Sequence, residues 1–509
     1  MTSPPAWPGA PWPARDADHL LVSSRQMAAL EEQLFASGLP VEALMEKAAL
    51  AVSRCLLAQK DRLEQGVMVL VGPGHNGGDG LVVARELHLA GVNVRLWCPF
   101  DRLKPLVEQH RRHGRWLGLC DVDAPPDPAD GALWIDALFG IGQRRPPGSN
   151  IEGLLEERQR QRPGRLVAID VPTGLCADSG RLLGAGAATA VATYTIGLIK
   201  QGLVQDRALA RVGRLERIDL GLSPALLASL PTEQPLGLLP LDLPFAPRPS
   251  LDPAAGKYER GRLLVVAGSD TYPGAAHLAL LGATAGGCGS LRAQLPAAVA
   301  HHLWQVLPEV VVQQEPPTTA QLERLDALLV GPGLGPDGAP YPCVGWSELK
   351  GFAGLLVLDA DGLNHLARNG GERWLSRRVG PTWLTPHRGE FTRLFPDLAE
   401  QPALAAAAAA SGRTGATVLL KGARSVVATA DGRTWQVLQA WPEAARAGLG
   451  DVLAGYAAAL GARARAAGAV DGALLAAAAL AHGLAGRGGG SPVHVAQRLP
   501  TIWASFDQH

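Results

Sequence analysis

The stretch "VLVGPGHNGGDGLVVAREL", Val69 to Leu87, carries five glycines in nine residues between an apolar run and the first turns of a helix. A glycine-rich turn between strand and helix bares backbone N–H groups at a helix N-terminus, where phosphate binds. The Walker loop needs a Gly-Lys-Ser/Thr ending, and the dinucleotide fingerprint needs G-x-G-x-x-G. This loop has neither spacing, and its polar groups are His75, Asn76 and Asp79. It predicts a strand–loop–helix unit of a parallel sheet whose loop presents an amide and a carboxylate as well as backbone donors.

The same alternation runs outward in both directions. Short Val/Ile/Leu-rich runs alternate with longer helical patterns, as in βα units around a largely parallel sheet. Strand candidates in the first half are 67–72, 93–98, 132–137, 165–170 and 190–196. In the second half they are 262–268, 326–331, 355–360, 382–386, 417–422 and 425–430. Between the halves, prolines recur every few residues from Pro224 to Pro253. Proline removes ladder donors and breaks helices, so this stretch reads as a boundary. The expected organisation is a flexible N-terminal segment (1–20), a first α/β domain (21–225), a proline-rich linker (226–250) and a second α/β domain (251–509).

At 509 residues the chain exceeds one ordinary core. Forty-seven basic and 47 acidic residues cancel, so no net field favours nucleic acid or an anionic membrane. The six cysteines are scattered without a C-x-x-C pair, which fits a reducing compartment and argues against a zinc site. No signal pattern and no apolar run of about 18 residues is evident, so a cytoplasmic protein is expected.

In the first half, polar residues follow each strand where a parallel sheet opens its binding crevice. Asn76 and Asp79 follow the first, Asp136 and the Gly140–Gly142 loop another, and Asp170 and Thr173 a third. Such oxygens fit a hard cation beside a phosphate loop; taken singly, each Asp could equally cap a helix or turn. Lys200 reads as a solvated lysine. In the second half, "AARAGLGDVLAGYAAAL" (444–460) opens a helix on Gly448 and Gly450 and sets Asp451 at its N-terminus. There Asp451 could serve as a base or simply as an N-cap.

"GHNGGDGLVVAREL", "DALFGIG", "IDVPTG" and "TYTIGLIK", in that order, resemble the N-terminal domain of the YjeF family, the NAD(P)H-hydrate epimerases, over about residues 20–220. The resemblance implies a Rossmann-like three-layer α/β/α domain. It implies that His75, Asn76, Gly77, Gly78 and Asp79, with Gly140, Ile141, Gly142, Gln143, Arg144, Arg145 and Pro146, hold a hydrated dinucleotide. Asn76, Asp136 and Thr173 would bind a potassium ion, and Asp170 would contact the nicotinamide ring and transfer a proton. His75 stands where that family usually has a second asparagine.

"LVVAGSDTYPGAAHLAL", "LLVGPGLG", "LVLDADGLN", "TPHRGEFTRL", "LLKGARSVV" and "LAHGLAG" resemble the ribokinase-like, ADP-dependent NAD(P)H-hydrate dehydratases over about residues 250–505. By that resemblance Ala275, Gly333, His387 and Asp451 contact the hydrated dinucleotide. Lys421, Gly422, Ala423, Arg424, Ser425 and Gly450 hold ADP, and Asp451 is the catalytic carboxylate. A magnesium ion would bridge the phosphates, with Glu390 as a partner. Leu449 stands where a small hydroxyl residue is usual, Ala447 where a glycine is, and Arg388 where proline is common; Arg388 would then lie as an extra cation near the polyphosphate.

The expected activity is repair of hydrated NADH and NADPH by a two-domain isomerase and lyase that acts on small molecules, as a homo-oligomer. A small-alcohol kinase would not need "TPHRGE" and "LDADGLN" in this form, and a non-catalytic scaffold predicts eroded acids, whereas Asp136, Asp170 and Asp451 are present.

Overall fold

The computed structural model of the chain describes residues 12–249, 252–335, 343–468 and 470–503. They divide into two units, Asp16–Gln234 and a second from Pro235 onward that also holds residues 12–15. The first unit carries β1 (Leu21–Val22), β2 (Val67–Val71), β3 (Val94–Trp97), β4 (Cys120–Val122), β5 (Leu133–Ala137), β6 (Leu166–Ile169), β7 (Ala192–Ile196), β8 (Ile199–Lys200) and β9 (Arg214–Ile218). Seven of these form one parallel sheet in the order β4-β3-β2-β5-β6-β7-β9, and β1 pairs separately with β8, Val22 opposite Lys200. Every residue of β2, β5, β6 and β7 is buried, as in a sheet covered on both faces. The chain leaves β2 toward β3 and returns on its other side at β5. That reversal opens a crevice beyond the carboxyl ends of β2 and β5.

The second unit repeats the principle with β10 (Leu236–Leu238), β11 (Arg262–Val266), β12 (Ser290–Gln294), β13 (Val311–Gln313), β14 (Ala327–Val330), β15 (Leu355–Leu358), β16 (Thr382–Leu384), β17 (Thr417–Leu420), β18 (Val426–Ala428) and β19 (Thr434–Val437). Their order is β10-β19-β18-β17-β16-β15-β14-β11-β12-β13, parallel except where β18 runs against β17 and β19. The reversal falls between β11 and β14.

Each expected strand forms. Eight further strands appear among the described residues, and four of them, β4, β9, β12 and β13, carry polar residues that break the apolar signal. The boundaries differ from the expected ones. The proline-rich stretch 226–250 contains β10, which pairs with Trp435–Val437 at the sheet edge, the place where flanking prolines cost no ladder bond. Of the expected flexible segment 1–20, residues 1–11 lie outside the described residues. Residues 12–20 are held instead: Trp12 donates its indole N–H to the Asp242 carbonyl and accepts from Trp435 Nε1, and Leu20 is buried.

Helix Leu449–Ala466, which carries Asp451 in its first turn, lies directly against helix Pro273–Gly286. Small residues make that approach possible. A Cβ at Gly455 would fall 1.8 Å from the Ala279 carbonyl oxygen, and one at Gly282 2.0 Å from that of Val452. The helices must therefore separate in Gly455→Ala. The expected loss is about 2 kcal/mol, a fall of several degrees in the melting midpoint followed by circular dichroism.

Candidate functional site

In the first unit the crevice centres on Asp170, at the carboxyl end of β6. Its backbone is left-handed (φ 66°), which aspartate tolerates better than most residues. Asp170 Oδ2 accepts from Ile141 N at 3.0 Å, and Oδ1 from Ile196 N at 3.3 Å and Lys200 Nζ at 2.5 Å. One carboxylate thus ties the loop after β5 to the ends of β6 and β7. Lys200 is not a solvated lysine. It is 1% exposed, and its other two protons go to Thr195 Oγ1 (3.1 Å) and the Ile196 carbonyl (2.5 Å). Register with β1 and the partnership with Asp170 draw it inward.

Asp136, fully buried at the end of β5, accepts from Thr173 N (2.7 Å), Thr173 Oγ1 (2.8 Å) and Leu138 N (3.2 Å). Burial pushes its carboxyl up to about 6 against the pull of these donors. Asn76, at the N-terminus of helix His75–Leu89, has both amide atoms buried without a partner. A Cβ at Gly140 would lie 2.7 Å from Asp170 Oδ2 and 3.4 Å from Asn76 Oδ1, so Asn76, Gly140 and Asp170 meet. An unpartnered amide oxygen is the kind of donor a hard cation takes.

Two further acids share this field. Burial, with Asp170 and Glu31 nearby, holds the Asp79 carboxyl well above the usual range. Burial likewise raises Glu31, on helix Ser24–Ala36, to about 7, with Asp170 adding and Lys200 opposing. Nothing in the sequence around Glu31 singles it out; only the fold brings its helix over the crevice. Of the other expected residues, His75 is exposed and 3.3 Å from Lys104 Nζ, Gln143 Oε1 accepts from Gly174 N, and Arg144, Arg145 and Pro146 are exposed.

In the second unit Lys421 directly follows β17, and its Nζ lies 2.6 Å from Asp359 Oδ1 at the end of β15. Asp359 is 1% exposed and also accepts from Thr385 Oγ1 at 2.8 Å. Burial works against the Lys421 charge, but Asp359 and Glu390 outweigh it and raise its affinity for the proton. A Cβ at Gly450 would stand 3.2 Å from Lys421 Nζ, so the ammonium faces the N-terminal turn of helix Leu449–Ala466, beside Asp451. Burial, then Asp359, push Asp451 up to about 7. Unlike Lys200, Lys421 hydrogen-bonds only Asp359 through its ammonium among the described residues, which leaves two N–H groups for a ligand.

His387 caps helix Arg388–Leu394: its Nδ1 accepts from Gly389 N and Glu390 N, and its backbone N–H donates to Glu390 Oε2 at 2.8 Å. Nδ1 is therefore the unprotonated nitrogen. Glu390, expected beside magnesium, is spent on this cap and on His387 Nε2 at 3.2 Å. Arg388 does not face a polyphosphate; its guanidinium holds the Ala399 and Gln401 carbonyls. Ala275 and Gly333 meet at the β11/β14 reversal, where a Cβ at Gly333 would lie 2.7 Å from the Ala275 Cβ. Gly422 and Ser425 close the β17–β18 turn, Gly422 N donating to Ser425 Oγ at 3.3 Å, with Ala423 and Arg424 between them. Leu449 turns partly into the core. Asp359 belonged to an expected motif but to no expected role; its place directly after an apolar strand was the available signal, and the structure adds a strained Ala360 (φ 47°) beside it.

Residues 41–202 match the family of YjeF-related protein N-termini, and residues 263–491 the family described as NAD(P)H-hydrate dehydratase. A bifunctional NAD(P)H-hydrate repair enzyme from Gloeobacter violaceus is 43% identical over 456 residues, covering 86% of this chain and 88% of that protein. One from a Synechocystis species is 42% identical over 447 residues, covering 86% and 84%. Among solved structures, an ADP/ATP-dependent NAD(P)H-hydrate dehydratase from Bacillus subtilis, co-crystallized with ATP and Mg2+, is 25% identical with a TM-score of 0.44, covering 53% of this chain and 97% of that one.

Removing Lys200 would leave Asp170 buried without its counter-charge. Lys200→Met should cost roughly 3 kcal/mol, and Lys200→Met/Asp170→Asn should regain part of it. Denaturant unfolding of the four members of that cycle measures the coupling.

Proposed function

Because this chain belongs to the family of bifunctional NAD(P)H-hydrate repair enzymes, we propose how its two units divide the work. The first interconverts the R and S forms of hydrated NADH or NADPH. The second returns the S form to NAD(P)H at the expense of ADP, releasing AMP and phosphate. One observation carries this reading. In each unit a lysine–aspartate pair sits at the strand ends beside a carboxyl that burial holds near neutrality, Glu31 in the first and Asp451 in the second. An acid poised near the working pH can both take and give a proton.

For the epimerase, the hydrate lies over Gly77 and Gly140 with its ring against Asp170. Asp170, fixed by Lys200 and two backbone N–H groups, moves the proton while the hydroxyl is lost and regained. The residues fit a potassium ion held by Asn76, Asp136 and Thr173, where it would neutralise charge on the dinucleotide phosphates. For the dehydratase, Lys421 and the N–H groups at Gly450 bind the ADP phosphates, with the Gly422–Ser425 turn against the nucleotide. Asp451 takes the proton from the substrate hydroxyl as its oxygen attacks the terminal phosphorus. AMP departs, and the ring nitrogen pushes out phosphate to leave an iminium. The neighbouring ring carbon then gives up a proton to the released phosphate or water, so that the carbon–carbon double bond re-forms. Asp451 beside Lys421 would suit a magnesium ion carried in on the phosphates, which would spread their charge. A homo-oligomer acting in the cytoplasm completes the proposal; among the described residues no helix is long and apolar enough to cross a membrane.

Recovery of near-ultraviolet dihydronicotinamide absorbance from a mixture of hydrate epimers tests this reading, with ADP and ATP in parallel. Asp451→Asn should lower ADP-dependent dehydration at least about a hundredfold and spare epimerisation; Asp170→Asn should do the reverse. One substitution abolishing both activities would overturn the division. Asp451 must be ionised to act as a base, so the dehydration rate should climb as pH rises through about 7 and level off above it.

A further inference from the structure

The second unit holds a cavity of about 470 Å³ that the repair reaction does not use. It lies on one face of β11, β12 and β13, and includes the first residues of β11 and β12, whereas the catalytic groups follow the carboxyl ends of β14 to β17. Parallel register sets Arg262 opposite Ser290 and Leu264 opposite Arg292, so these four share a face. The alternate residues Leu263, Val265, Leu291 and Ala293 fill the core on the other side. A parallel strand covered on both faces is apolar throughout. β12 reads Ser-Leu-Arg-Ala-Gln and is not, so its polar face fronts something other than a packed helix.

Arg262, Arg292 and Arg324 line the cavity together with Ser290 and Gln313, and no acidic residue is among the lining. Asp326 accepts the Arg262 backbone N–H, feels the Arg262 charge and lines a neighbouring cavity. Arg262 is committed: one nitrogen donates to the Arg324 carbonyl, and its guanidinium lies over the Tyr258 ring at 5.3 Å. Its Nε is buried without an acceptor. The Arg292 and Arg324 guanidiniums have no hydrogen-bond or ion-pair partner among the described residues. Half-buried Arg292 and exposed Arg324 thus line one open cavity without an ion-pair partner among the described residues, and guanidiniums favour phosphate. The volume falls within the range of small-molecule sites, and half-exposed Tyr258 offers a flat ring at its border.

We propose that this cavity binds a phosphate-bearing small anion, gripped by Arg292 and Arg324 and bordered by Tyr258. Inorganic pyrophosphate is the probe, titrated calorimetrically into the full chain and into Arg292→Gln/Arg324→Gln. The double variant should lose at least tenfold in pyrophosphate affinity while its ADP-dependent dehydration stays intact. Arg292→Lys and Arg324→Lys, which keep the charge but not the fork, should lose less. Pyrophosphate binding that is absent in the unsubstituted chain, or equal in the double variant, overturns the site. The readout is binding rather than turnover, so its failure leaves the repair reading untouched, and the reverse.

Discussion

An ammonium taken out of water beside a carboxylate is the interaction around which each unit is arranged. Desolvating such a pair costs several kcal/mol per ion and is offset only when hydrogen bonds saturate both partners. Lys200 meets that condition with three acceptors, and Asp170 with three donors drawn from the loop after β5 and the ends of β7 and β8. The geometry of the crevice follows. The loop after β5 cannot drift from β6 without leaving a buried charge half-solvated. Lys421 meets the condition only in part, and the protons it leaves over are the ones a phosphate would take. One pair is a finished joint, the other an open one.

Burial, with neighbouring carboxylates adding to it and the lysines opposing it, explains why acids lie near neutrality where ordinary carboxyls would be fully ionised. Asp79 and Glu31 share one positive partner with Asp170, and burial removes the water that would otherwise screen them. In the second unit Asp451, Asp359 and Glu390 stand around Lys421 in the same proportion. Three acids to one base is a poor recipe for stability and a good one for moving protons.

The sheet cores were legible because they are nearly pure Val, Ile and Leu, and the glycine loops because their spacing is unusual. β9 and β12 escaped because amphipathic strands share their composition with loops. Asp136, Asp170 and Asp451 stood out by following strands or opening a helix. Lys200 was seen and misjudged: burial of a lysine depends on an aspartate thirty residues away in sequence, and a single chain gives no hint of that pairing. Glu31 was invisible for the same reason. Local pattern reveals which elements form, whereas pKa and pairing are properties of what the elements bring together.

The few residues around Trp12 have a consequence for anyone cutting this chain apart. Because residues 12–15 belong with Pro235 onward, the second unit is discontinuous in sequence, and Asp16–Gln234 is an insertion within it. A fragment begun at residue 235 would lack the indole that covers part of its own core and meets Asp242 and Trp435. The excisable module is therefore the first unit, whose ends both lie at one seam of the other's covalent path, while the second is whole only when its leading strap travels with it.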